Sequence, residues 1–190
     1  MRKAILAVAL FGTLAAGCSG PTTVSGVIDS AYTPELINYA AGSGGMPVTV
    51  VGNPFPVPKA ELDKIITSTM EVSYFGQRMP FFTERPPEFR SPYYIVLIFN
   101  PQLGVNNQAL CVNPNQPTAV EPGRLRMMGV LCSSDRRLTS TTGGVAALDD
   151  PSAPAFRQLI AQMTYELLPP YTERNDRRVR APFVGPIGFR

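Results

Sequence analysis

The sequence predicts a single small α/β domain of the α+β kind, a mixed four- to five-stranded sheet with two main helices packed on one face. Three observations predict it. Met46 to Val51 is a compact β-type run, and an amphipathic helical pattern over Pro58 to Val72 follows it after a short loop. Tyr93 to Phe99 is an unbroken series of aromatic and aliphatic residues, which a strand covered on both faces accommodates. Farther on, two β-type runs flank the turn at Ser133 to Arg136, and one more apolar helical stripe closes the pattern before Pro169-Pro170. A length of 190 residues fits one such domain.

The amino terminus comes first. Arg2 and Lys3 precede an apolar run from Ala4 to Ala16. This run is too short to span a bilayer, which takes about 20 apolar residues, and suits a cleaved secretory signal over residues 1–17. Leu14-Ala15-Ala16-Gly17-Cys18 closes it. The segment resembles the lipobox of bacterial lipoproteins. That family places its leucine three residues before the cysteine; here Ala15 holds that position and Leu14 precedes it. The resemblance implies lipidation of Cys18, which becomes the first mature residue and anchors the chain in a membrane. Several acyl chains make such anchoring stable where one is marginal. Ser19 rather than Asp after the cysteine implies, in that family, the outer membrane of a Gram-negative cell, facing the periplasm. Cleavage removes Arg2 and Lys3 and leaves acids and bases nearly balanced. No strong basic patch then argues for nucleic acid. Residues 18–32 are small and polar, with Gly20, Pro21 and Gly26, and read as a flexible tether.

The globular part is expected over residues 33–170. Thr33-Pro34-Glu35 gives a helix start, with a capping hydroxyl, a first-turn proline and an early acid. Gly42 to Gly45 ends that helix after one or two turns. Gly52-Asn53-Pro54 turns the chain out of the first strand. In the next helix Leu62, Ile65, Ile66 and Met70 share one face. The two strands around this helix form one crossover unit, expected to be right-handed. Residues 73–92 form a loop carrying Phe75, Phe81, Phe82 and Phe89. These rings are either an exposed binding surface or pins that hold the loop over the core.

Asn100-Pro101 ends the doubly apolar strand. Ala109 to Val112 reads as a short strand, Arg124 to Cys132 as a longer one, and Leu138 to Thr142 as its hairpin partner. The Thr and Ser content of that last arm places it near the sheet edge. Asp149-Asp150-Pro151-Ser152 announces the final helix, with Ser152 as cap, Pro154 in the first turn, and Phe156, Leu159, Ile160, Met163 and Leu167 as its stripe. Residues 171–190 lack periodicity and carry Arg174, Arg177, Arg178 and Arg180. They read as a basic, disordered tail that is either solvated, laid on an anionic membrane, or docked in a partner's acidic groove. Cys111 and Cys132 remain after lipidation. Export would place them in an oxidising compartment, where a disulfide is the default and two buried thiols the alternative.

The chemistry is bounded by an absence. The sequence has no histidine. That removes Ser-His-Asp and Cys-His catalysis, histidine bases and histidine-ligated zinc. Lys59 and Lys64 are the lysines left for a Ser-Lys dyad, both on a helix surface. Gly42-Ser43-Gly44-Gly45 precedes a strand, whereas a phosphate cradle follows one and opens a helix. The adjacent acids Asp149 and Asp150 are the candidate pair for glycan cleavage, with helix capping as the simpler account. No cofactor and no metal is expected.

Around Val48-Thr49-Val50-Val51-Gly52-Asn53-Pro54-Phe55 the chain resembles small envelope lipoproteins of α-proteobacteria without an assigned activity. Its element order is also similar to periplasmic lipoproteins that serve envelope machines as accessory subunits. The resulting expectation is a non-catalytic, lipid-anchored periplasmic domain that binds a protein partner. The alternatives are a binder of a small hydrophobic or lipid ligand, with residues 75–89 as a lid, and a carboxylate-dependent glycan hydrolase.

Overall fold

The computed structural model describes residues 20–73 and 78–170. The chain runs β1 (Thr22–Ser25), α1 (Glu35–Gly42), β2 (Met46–Val51), α2 (Lys59–Ser73), β3 (Phe81–Phe82), β4 (Tyr93–Phe99), α3 (Asn107–Val112), β5 (Arg124–Ser133), β6 (Arg136–Ala146) and α4 (Pro154–Leu167). Six strands form one sheet in the order β1-β6-β5-β4-β2-β3. β2 is parallel to both β3 and β4, and the other pairs are antiparallel. The α+β class and the mixed sheet stand as expected, with more strands than four to five.

Alternation along the strands divides the core in two. Ile95, Leu97 and Phe99 of β4 face the side that also takes Val48, Val50, Leu125, Met127 and Leu131. The α2 stripe of Leu62, Ile66 and Met70 and the α4 stripe of Phe156, Leu159, Ile160, Met163 and Leu167 close this side. At its centre the Phe99 and Phe156 rings stack at 6.1 Å, and Phe55 meets Phe156 edge-on at 5.0 Å. The opposite side is smaller. Val96, Ile98, Val130 and Cys132 lie there beneath Leu110 and Cys111 of α3. Both faces of β4 are therefore covered, which is why its sequence shows no polar alternation.

Several local expectations need correction. Residues 109–112 belong to helix α3, not to a strand. Asn106 caps that helix by accepting the Ala109 N–H at 2.8 Å, a signal present in the sequence. Residues 22–25, read within the tether, are strand β1, paired with β6 from Thr22↔Gly144 to Ser25↔Thr141. β6 extends to Ala146 and lies inside β1, so it is not the edge. Its Thr-rich sequence has another cause: Thr141 and Thr23 both donate hydrogen bonds to the Glu166 carboxylate on α4. Thr33 and Ser152 do not cap; Pro34 and Ala153 hold those positions with no side-chain cap.

Candidate functional site

Two concavities of the described surface bear on function. The first, a cleft of about 390 Å³, lies between the end of α1 and the loop from β3 to β4. The turn after α1 is tight because Gly44 and Gly45 take φ of 97° and 121°. A Cβ at Gly45 would stand 2.3 Å from the Pro80 carbonyl oxygen, so only glycine fits this approach. Across the cleft, Phe82 meets Phe89 edge-on at 5.3 Å, and the Arg85 guanidinium sits 5.5 Å above the Phe89 ring. Arg90 is held by donating to the Pro87 carbonyl at 2.6 Å. Tyr39, 57% exposed and edge-on to Tyr93 at 5.9 Å, forms the outer wall.

This geometry bears on the two readings of the aromatic loop. Phe81 is 7% exposed and Phe89 8%, while Phe82 is half-buried. These three rings do not form an exposed patch; they fasten the loop down and leave Phe82 and Phe89 as the cleft's inner wall. Phe75 lies outside the described residues, as do Cys18, Arg174, Arg177, Arg178 and Arg180.

The second concavity, about 300 Å³, lies on the sheet face that α3 leaves open at β1, β6 and β5. The register builds it in rows. Thr22, Gly144 and Arg126 lie side by side, and Val24, Thr142 and Met128 form the next row. Val24 is 67% exposed. Arg126 is engaged: its Nε donates to the Glu121 carboxylate and its Nη2 to the Pro101 carbonyl at 3.4 Å. Asn100 accepts the Arg126 N–H at 2.8 Å and fixes this end of β5. Arg124 differs. A Cβ at Gly144 would lie 3.3 Å from its Nε, so the glycine leaves room for the guanidinium to lie on the strand. No ion pair or side-chain hydrogen bond engages it among the described residues.

Cys111 and Cys132 form a disulfide between α3 and β5, with Cα atoms 5.6 Å apart. The Tyr94 hydroxyl lies 2.6 Å from the Cys111 carbonyl oxygen, tying the same junction, and burial raises its pKa above 10.0. Asp150 accepts the Ser152 N–H at 2.7 Å and the Ser152 hydroxyl at 2.6 Å. The hydroxyl bond first, then the backbone bond, hold its pKa below the ordinary 3.8. A glycosidic general acid needs the opposite shift. Asp149 is exposed beside it. Lys59 pairs with Asp63 at 2.5 Å, one turn along α2. Among the described residues no group of three metal-ligating side chains converges, and no helix is long and apolar enough to cross a membrane.

Sequence reasoning pointed to the aromatic loop and missed the open sheet face. Its residues, Thr22, Val24, Arg124, Thr142 and Gly144, are scattered in sequence, and only strand pairing brings them together.

No family model matches the chain, and no curated protein matches it. Among solved structures it is similar to the PelC dodecamer of Paraburkholderia phytofirmans in two crystal forms. A point variant gives 13% identity and a TM-score of 0.40, covering 77% of this chain and 98% of that one. The second gives 13% identity and a TM-score of 0.39, covering 80% and 98%. A likeness at this level carries no argument about function.

Proposed function

We propose that the chain is a non-catalytic, lipid-anchored periplasmic domain, held at the outer membrane through Cys18, that binds a protein partner in envelope assembly or maintenance. The observation that carries the reading is Leu14–Cys18 at the end of an apolar run, followed at once by the domain. The Cys111–Cys132 disulfide supports export, because such bonds persist in oxidising compartments. The lack of histidine and the engagement of Asp150 and Lys59 in local bonds favour binding over catalysis. Crosslinking in intact cells, followed by purification of the chain, is expected to recover one defined envelope protein. Recovery of the monomer alone would contradict partner binding.

The cleft behind Tyr39 favours a second reading, a small hydrophobic or lipid ligand seated against Phe82 and Phe89. Native mass spectrometry of the purified chain tests it: a co-purified ligand is expected, and a bare chain would exclude it.

A further inference from the structure

The tether is far shorter than residues 18–32. β1 begins at Thr22, and four peptide steps from Cys18 reach at most about 14 Å when fully extended. This inference rests on the reading of Cys18 as lipid-modified. On that reading, the sheet end at Thr22 is held within that distance of the bilayer surface.

We propose that the open face of β1, β6 and β5 docks on anionic phospholipid headgroups beside the anchor, with Arg124 binding phosphate. Three features fit that occupant. Arg124 has no ion pair or side-chain hydrogen bond among the described residues, and its guanidinium lies over Gly144 in a concavity that Thr22 and Thr142 also line. A planar guanidinium matches phosphate oxygens in pairs. Val24, 67% exposed on this face, offers an apolar contact at the headgroup boundary. Arg126 is neutralised by Glu121, so Arg124 supplies the charge. Asp149 and Asp150 follow β6 but lead to α4, which covers the other side of the sheet. The anchor adds effective concentration: headgroups within reach of Cys18 need only a weak site.

The test uses the full chain extracted from its own membranes and reconstituted in two kinds of vesicle. One is phosphatidylethanolamine and phosphatidylglycerol carrying a headgroup photoprobe; the other is phosphatidylcholine with the matching probe. Adducts are expected on residues 22–24 and 124–128 in the anionic vesicles. Arg124→Gln is expected to reduce them about fivefold, and Lys64→Gln, on the exposed surface of α2, to leave them unchanged. Adducts spread over the whole domain, or unaffected by Arg124→Gln, would overturn the docking while an acylated amino-terminal peptide upheld the Cys18 reading. An unacylated amino-terminal peptide would overturn both. Capture of a protein instead of lipid by a photoreactive residue at position 24 in intact cells would assign the face to an acidic partner and overturn the lipid.

Discussion

Gly143 sets how closely α4 lies on the sheet. A Cβ there would stand 2.7 Å from Leu159 Cδ1 and 3.2 Å from the Thr22 carbonyl oxygen, so a methyl group crowds the helix on one side and backbone on the other. Gly143→Ala is expected to destabilise the domain by about 1–3 kcal/mol, read as a lower thermal midpoint. Gly20→Ala, which meets nothing within 4 Å, serves as the silent control. Asp29 gives a pH signature. The Ala31 N–H, and then the Arg136 guanidinium, hydrogen-bond its carboxylate and hold its pKa below the ordinary 3.8. The folded state therefore favours the charged form, and its contribution is complete above the unfolded value and lost as pH falls through the lower folded one. Asp29→Asn is expected to lower the urea midpoint at neutral pH and to match the parent in strong acid; an equal deficit at both would contradict this assignment. At this scale the sequence was a poor guide. Nothing local marks Gly143 as indispensable, because its neighbours Leu159 and Thr22 arrive from distant elements.

Elements were read best where their periodicity was strong and their burial complete. Met46–Val51 and Tyr93–Phe99 have the boundaries their apolar runs imply, and α2 and α4 bury the stripes read from Leu62 and Phe156 onward. Elements that depend on a partner were misread. β1 is four residues of Thr, Val and Ser with one half-buried position, and it exists because β6 and Glu166 hold it. Ala109 to Val112 reads as a strand because Ala-Leu-Cys-Val is apolar without a visible period over so short a span, yet it lies in α3. Its disulfide is the strongest link between α3 and the sheet. Replacing Cys111 and Cys132 together by Ser is expected to cost about 3 kcal/mol, from a sequence separation of 21, measured by urea unfolding of the oxidised parent against the variant. Hydrogen exchange is expected to rise most over Asn107–Val112, and exchange that rises uniformly would contradict a local role of the disulfide in holding α3.

The described residues form a sheet with one face closed by α2 and α4 and the other covered only in part by α3. That asymmetry was not legible from composition, because the open face takes residues from three strands whose pairing the sequence does not state. The candidate sites divide the same way. The aromatic loop is visible as sequence, and Phe81 and Phe89 within it are packed inward, whereas the Arg124 surface emerges only from strand order. What the sequence does carry plainly is Leu14–Cys18, and the account of the molecule turns on it. On the proposed reading, a lipid at Cys18 holds the Arg124 face within four peptide steps of a membrane. The most direct test is the mass of the amino-terminal peptide of the chain purified from its native membranes, with Cys18→Ser alongside. The account predicts a chain that begins at Cys18 and carries acyl groups there, with the variant unacylated and unprocessed. A chain that begins elsewhere, or a Cys18 with a free thiol, would contradict it.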